Sequence, residues 1–204
     1  MARSATAKAA TAAEKTVLSI GPGARPVPPH YQGWKVLVGG DHAFAKPDLS
    51  ISVRNLGDQP AAQFDAVYCA HALQTCYTHE VGRVVEGLRH IVKPGGFVEI
   101  RVPDVGAIMR MAVERKLDLE DALYKSQAGP VTVRDALYGY ARNVGASPEH
   151  FAHRVGFSRK SLRSILGRAG FAAAALLRPR ALEIALVAFP QAPTEEHKAL
   201  LKLK

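Results

Sequence analysis

The sequence predicts an α/β fold, a doubly wound, Rossmann-like sheet with helices on both faces. Three observations predict it: short apolar runs recur along the 204 residues, helical periodicity separates several of them, and the first run stops at a glycine turn. Strands that alternate with helices are typical of a mainly parallel sheet covered on both sides. The chain is long enough for one such domain with a proper core.

The first third of the chain supplies four predicted strands. They are 17–20, 34–38, 48–52 and 64–70. Gly21 and Gly23 follow the first strand directly, and the prolines that come next oppose an immediate long helix. Glycine lacks a Cβ, so backbone there can approach a ligand closely, and ligands bind at the carboxyl ends of parallel strands. The glycine turn therefore predicts a ligand site at this edge of the sheet.

The rest of the chain supplies the helices and the last strands. Apolar residues at helical spacing predict a helix over 81–91, which a turn at 93–96 separates from a strand over 97–103. Segment 104–150 is expected to be helical with breaks. Ser158 is placed to cap a helix that Gly170 ends, and the runs 172–177 and 182–189 predict a terminal hairpin pair.

These elements predict a single domain over residues 16–190. The Ala/Thr/Lys-rich stretch 1–15 is expected to be a disordered tail, and 191–204 a polar C-terminal tail. Within the domain, 104–157 is expected to form a helical cover over the carboxyl edge of the sheet.

Composition excludes several classes of protein. No apolar run approaches the roughly 20 residues that span a bilayer, so no membrane association is expected. The only two cysteines, Cys69 and Cys76, have neither disulfide-framework nor zinc-site spacing, which predicts no metal and a cytoplasmic location. Cys69 is expected to be a packed core thiol. The sequence does not indicate an oligomeric state.

The net charge of +9 is uneven. Residues 151–204 hold 10 Lys and Arg against 3 Asp and Glu, a net +7. A basic third of this kind is either a solvated face or a surface for nucleic acid, an acidic small molecule or a lipid surface. Since no aromatic side chains interleave with these charges, the solvated face is the favoured reading and nucleic acid the less favoured one.

The glycine turn by itself identifies no ligand. Proline stands where the dinucleotide fingerprint needs its third glycine, and no Gly-Lys-Ser/Thr follows for a phosphate loop. Both NAD and ATP are therefore disfavoured.

The ordered set of segments is more informative. VLSIGPGARP, WKVLVGGD, KPDLSISVRNL, FDAVYCAHAL, VKPGGFVEIRVP and HRVGFSRKSLRSILGRAGF follow one another along the chain. Together they resemble the class I S-adenosylmethionine (SAM)-dependent methyltransferases, over roughly residues 16–190. The resemblance implies a seven-stranded sheet whose last strand runs antiparallel, with SAM as the cofactor.

The resemblance also implies cofactor contacts, position by position. The matching positions are Gly21 and Gly23 at the methionine moiety, Asp41 at the ribose, Asn55 and Leu56 at the adenine, and Ala70 beside the transferable methyl. Because Gly21 is expected to face the cofactor, Gly21→Val is expected to abolish SAM binding by filling the space that the cofactor needs.

The same resemblance implies an acceptor site at the carboxyl edge. His71, at the end of the fourth strand, is the candidate general base, with a simple strand-end role as the alternative. Tyr138, Tyr140 and His153 are candidates for the substrate wall. The expected activity is transfer of a methyl group to an oxygen or nitrogen of a small soluble molecule.

Two alternatives stay open. The usual acidic positions are replaced by Ser19, by Gly39 and Gly40, and by Asn55, which is compatible with a catalytically degenerate fold kept as a binding or scaffold protein. A methyltransferase that binds RNA through the basic C-terminal third is the less favoured alternative.

Overall fold

The structure is a computed structural model that describes residues 14–22, 26–40, 47–178 and 181–203, and within these ranges seven strands form one sheet. The strands are β1 (Thr16–Ile20), β2 (Lys35–Gly40), β3 (Leu49–Ser50), β4 (Phe64–Ala70), β5 (Val92–Pro103), β8 (Ala173–Leu176) and β9 (Glu183–Phe189). A separate two-stranded sheet is formed by β6 (Ala122–Ser126) and β7 (Gly129–Thr132).

Strand order confirms the predicted doubly wound α/β class. The order is β3-β2-β1-β4-β5-β9-β8, with β3, β2, β1, β4 and β5 mutually parallel. β9 runs antiparallel between β5 and β8, so the last strand is inserted beside its neighbour as expected. The strand order reverses beside β1, and the carboxyl ends of β1 and β4 therefore border the crevice in which such sheets bind ligands.

Helices follow the strands as the periodicity predicts. They are α1 (Val81–Ile91), α2 (Val105–Glu114), α3 (Val133–Tyr138), α4 (Ala141–Ala146), α5 (Pro148–Phe151), α6 (Arg159–Arg168) and α7 (Glu195–Leu201). The predicted cap is confirmed, since Ser158 accepts from the Ser161 N–H at the start of α6. Asp104 likewise accepts from the Ala107 N–H at the start of α2. Gly170 lies just past α6 with a φ of +82°.

Alternate residues of the strands enter two cores, one on each face of the sheet. On one face, Leu18 and Val67 pack with α1 and α6, and buried Cys69 belongs to this core. On the other face, Val17 and Phe97 pack with Tyr31 and with Leu201 of α7. Burial raises the pKa of the Cys69 thiol, in keeping with a packed core residue.

Three segments differ from the sequence prediction. Segment 93–96, expected as a turn, is part of β5, because Val92 already pairs with Phe64 and the irregularity is absorbed between Phe64 and Ala66. The cover over 104–157 contains the β6–β7 hairpin as well as helices. Segment 191–204, expected as a tail, contains α7, whose buried Leu201 joins the core.

The hairpin and its neighbouring helices form a third, smaller core. Ile108 of α2, Leu123 of β6, Val131 of β7 and Ala136 of α3 are its buried members. The cover is thus packed in its own right and stands over the carboxyl edge of the sheet. Most of the predicted tail 1–15 lies outside the described residues.

Candidate functional site

A cleft opens at the carboxyl ends of β1 and β2, and we call it the edge cleft. Its floor is formed by Ile20, Gly21 and Gly40, and one wall is the start of the 3-10 helix Val53–Asp58. The opposite wall includes Ala72, Thr75 and, from α5, Glu149 and His150. The cleft therefore lies at the crevice that the strand order predicts.

The two glycines of the cleft floor serve different purposes. A Cβ on Gly21 would stand 1.9 Å from the carbonyl oxygen of Ala70, and the φ of Gly21 is +150°. The glycine is thus required by the close approach of β1 to β4, which differs from the cofactor clash expected for Gly21→Val. A Cβ on Gly40 would meet nothing within 4 Å, so its position opens to the cleft.

The predicted cofactor residues are only partly brought together. Gly21 lines the edge cleft, whereas Asn55, Leu56 and Ala70 do not. The Asn55 side chain accepts from the Ser52 N–H in a capping box, and Leu56 is buried in the core. Ser52, Val53 and Arg54 line the cleft in their place, since the 3-10 helix turns the next two side chains away.

Because side chains alternate along β4, Ala70 lies on the face opposite Cys69 and is buried in the core that contains Val17 and Phe97. Gly23 and Asp41 lie outside the described residues, so their predicted contacts remain predictions.

Two arginines hold the rear wall of the cleft. The guanidinium groups of Arg54 and Arg154 each donate to the Thr75 carbonyl oxygen at 2.7 Å. Arg54 also donates to Glu80, with 3.3 Å between Nε and Oε2. The Tyr77 N–H, together with Arg54, lowers the pKa of the Glu80 carboxyl, so Glu80 is ionised and keeps Arg54 in place.

A second, larger cavity lies beside the edge cleft, and we call it the cover pocket. Its volume is about 790 Å³, within the range of small-molecule sites. The sheet contributes His71 and Glu183, and the cover contributes Tyr140 and His153 among others. Pro22 and His150 line both cavities, so the two are contiguous.

His71 is held by both ring nitrogens at the base of the cover pocket. Its Nε2 lies 3.1 Å from Oε2 of Glu183, and its Nδ1 lies 3.3 Å from Nε2 of Gln74. Because the Glu183 carboxylate only accepts, the ring hydrogen of neutral His71 is on Nε2 and Nδ1 carries a lone pair. The backbone of His71 is left-handed, with a φ of +56°, and its N–H donates to the Arg101 carbonyl at 2.8 Å.

A buried ionic chain stands behind His71. Arg101 donates to Oε1 of Glu183 at 2.9 Å and to Oε1 of fully buried Glu99 at 2.8 Å. Oε2 of Glu99 in turn receives the Tyr31 hydroxyl at 3.1 Å and lies 2.8 Å from Nε2 of His30. Burial, followed by the charge of Glu99, raises the pKa of Tyr31, so the phenol stays a donor. Arg101 thereby fixes the Glu183 carboxylate.

The three predicted wall residues are divided by the structure. Tyr140 and His153 line the cover pocket, whereas the Tyr138 side chain is 59% exposed and does not. The Nδ1 of His153 lies 3.2 Å from the Leu137 carbonyl oxygen, to which it donates. Burial lowers the pKa of His153, as does the charge of neighbouring His71, so this imidazole is neutral near pH 7.

Sequence reasoning did not identify Glu183 as a partner of His71. The two residues are 112 positions apart, and the contact exists only because β9 is inserted antiparallel beside β5. A glutamate at the first position of a buried strand is the one signal that could have pointed to Glu183.

The described residues contain no group of three or more His, Cys, Asp or Glu side chains that could hold a metal ion. In the same part of the chain, no helix has the length and apolar character needed to cross a bilayer.

Comparison with known proteins gives one family. The sequence model of the methyltransferase domain matches residues 2–176. A search of curated proteins found no match.

Solved structures share the fold at low identity. A SAM-dependent methyltransferase from Archaeoglobus fulgidus is 11% identical, with 86% of each chain covered and a TM-score of 0.51. An O-methyltransferase family protein from Burkholderia thailandensis is 12% identical over 87% of this chain and 51% of its own, with a TM-score of 0.52.

Proposed function

Because the chain belongs to the methyltransferase domain family and is therefore a SAM-dependent methyltransferase, we propose that it methylates an oxygen or nitrogen of a small molecule bound in the cover pocket. The observation that carries this proposal is the contact between the two cavities. Methyl transfer is an in-line displacement, so donor and acceptor must meet at one point, and Pro22 and His150 border both cavities.

The edge cleft has features that fit SAM. Gly40 leaves open space at the end of β2, and Ile51 and Val53 offer an apolar wall suited to a purine ring. When bound, SAM supplies a methyl group already activated on a sulfonium. We propose that Gly21, Gly40 and Val53 hold it, together with Gly23 and Asp41 of the sequence prediction.

A small acceptor is supported by the size of the cover pocket. The packed β6–β7 hairpin and α3 contribute its cover side. Tyr140 and His153 are the proposed contacts to the methyl acceptor. We propose no such contact for Tyr138, because its side chain is exposed and does not line the pocket.

His71 is the proposed general base, and Nδ1 is the atom that takes the proton. Glu183 accepts from Nε2–H, orients the ring and stabilises the imidazolium that forms, a carboxylate–histidine arrangement common to general bases. The Gln74 contact to Nδ1 is long at 3.3 Å, so the N–H or O–H group of the molecule to be methylated can replace Gln74 as the donor to Nδ1.

Replacing His71 tests the proposal. His71→Asn keeps a side chain that tolerates the left-handed backbone, but it removes the base. We expect calorimetry to show S-adenosylhomocysteine (SAH) binding within about twofold of wild type, and turnover to fall by about 10²-fold or more. Wild-type turnover in His71→Asn would contradict the role of His71. Binding of SAH with no transfer to any acceptor in the wild-type protein would instead support the degenerate, scaffold alternative.

A further inference from the structure

The amide of Gln74 leaves one polar atom without a partner. Gln74 is 3% exposed and lines the cover pocket, and its Oε1 is buried with no hydrogen-bond partner among the described residues. A buried acceptor without a donor is costly, so native structures rarely keep one without a reason. At the wall of a ligand pocket, the missing donor is one that a ligand can supply.

The neighbouring His71 fixes which end of the amide is unpaired. Since Nε2–H of His71 faces Glu183, Nδ1 is an acceptor and must face the NH₂ end of Gln74. The opposite orientation would set two acceptors against each other. Gln74 and His71 both line the cover pocket, so Oε1 of Gln74 and Nδ1 of His71 are two nearby acceptor atoms, the first unpaired and the second weakly paired.

Resting on the proposed function, we infer that the methylated atom is the nitrogen of a primary amino group. A hydroxyl has one hydrogen, and giving it to the base Nδ1 leaves Oε1 of Gln74 unpaired. An NH₂ group has two hydrogens, one for Nδ1 of His71 and one for Oε1 of Gln74, and its lone pair remains free for attack. Gln74 thus determines the choice of nitrogen over oxygen.

The step balances with these groups. The nitrogen lone pair forms the new N–C bond while the S–C bond breaks, and that bonding pair stays on sulfur. The nitrogen then bears a positive charge and passes one proton to Nδ1 of His71. The products are a secondary amine, the thioether SAH, and an imidazolium paired with Glu183. The second hydrogen stays on nitrogen and keeps its bond to Gln74 throughout.

A labelled-methyl experiment tests the inference. Wild-type protein is incubated with SAM carrying ¹³C in the methyl group and with an equimolar mixture of matched pairs, aniline with phenol and 3-aminobenzoate with 3-hydroxybenzoate. A small-molecule extract of bacterial cells is labelled in parallel, and the chemical shift of each new methyl carbon distinguishes N-methyl from O-methyl products.

Products that are N-methylated support the inference. Products methylated on oxygen, carbon or sulfur overturn it while leaving the methyltransferase proposal intact. The absence of any labelled product also overturns it, and SAH calorimetry then shows whether the proposed function fails as well.

A variant pair separates recognition from folding. Gln74→Met has nearly the same length without the acceptor, and we expect it to lower kcat/KM for the amine about tenfold or more, with SAH affinity within about twofold. Gln63→Met, an exposed glutamine before β4 at the opposite edge of the sheet, is the matched control and is expected to behave as wild type. Full amine turnover in Gln74→Met would refute the assignment. If Gln74→Met fails to fold, Gln74→Leu serves in its place with the same expected result.

Discussion

At the scale of single residues, the chemistry of the site depends on the hydrogen-bond partner of each polar atom. His71 directly follows the last residue of β4 and lines the cover pocket. Its chemistry comes from Glu183 and Gln74, whose contacts no local pattern reveals. The sequence therefore identified a candidate base, and only the three-dimensional arrangement shows which nitrogen can act.

Gly21 and Gly40 give a matched test of fold against site. Gly21→Ala places a Cβ against the Ala70 carbonyl at a positive φ, so we expect the free energy of unfolding to fall by more than about 1 kcal/mol. Gly40→Val enters open space at the end of β2, and we expect nearly unchanged stability with much weaker SAH binding. Urea unfolding and calorimetry measure the two quantities. Equal stability of Gly21→Ala and wild type would contradict the close approach of β1 to β4.

The buried His153 predicts a pH dependence of stability. Burial lowers its pKa below the ordinary 6.5, so the unfolded chain binds this proton more readily than the folded protein. Well above pH 6.5 His153 is therefore uncharged in both states and does not alter the free energy of unfolding. As the pH drops below 6.5 the free energy of unfolding decreases, and this decrease levels off once the pH passes the lowered pKa of the folded state. Between pH 7.5 and 5.5, we expect the free energy of unfolding to decrease less for His153→Gln than for the wild-type protein, as measured by urea unfolding. An equal loss in both proteins would show that His153 is not buried as described.

At the scale of elements, one predicted helix is confirmed, and two segments differ from the prediction because tertiary contacts override their local sequence signals. The Ser158 cap and the periodicity of α6 predicted that helix correctly. Segment 93–96 looks like a turn because of its Pro-Gly-Gly sequence, yet pairing with β4 extends β5 through it. Likewise, Thr194 caps α7, which was expected as a tail, and docking of Leu201 into the core stabilises it. Tertiary contacts therefore determine the secondary structure of both segments.

The junction of β4 and β5 provides the element-level prediction. A Cβ on Gly96 would lie 2.3 Å from the Asp65 carbonyl oxygen, whereas one on Gly95 would meet nothing within 4 Å. We expect Gly96→Ala to lower the free energy of unfolding by about 1–3 kcal/mol, and Gly95→Ala to change it by less than about 1 kcal/mol. Chemical unfolding of both variants gives the comparison. Indistinguishable stabilities would mean that β5 does not approach Asp65 this closely.

At the scale of the whole molecule, the order of segments was enough to predict the sheet, because strand sequence and fold class are tied by chain topology. It was not enough to predict which residues line the edge cleft beside β2, or the partner of His71. The 3-10 helix presents Val53 to the cleft and not Asn55 and Leu56, and a residue 112 positions from His71, Glu183 of the inserted strand β9, contacts its ring. The cytoplasmic location and the boundary of the N-terminal tail stay predictions.

The basic C-terminal third yields the last prediction, that the protein does not bind RNA tightly. Several of its cations already have partners within the fold: Arg154 holds the Thr75 carbonyl and Glu149, Arg159 lies 3.5 Å from Asp104, and Lys198 pairs with Glu195. A phosphate-binding surface needs several unpaired cations along one track, and each phosphate contact on a single strand adds about 0.7 to the slope of log affinity against log salt. We therefore expect fluorescence polarisation with single-stranded RNA to show weak binding, with a slope below about 2. A loss of affinity of about 10³-fold between 50 and 200 mM salt would contradict this. It would make RNA, rather than a small amine, the acceptor to test first.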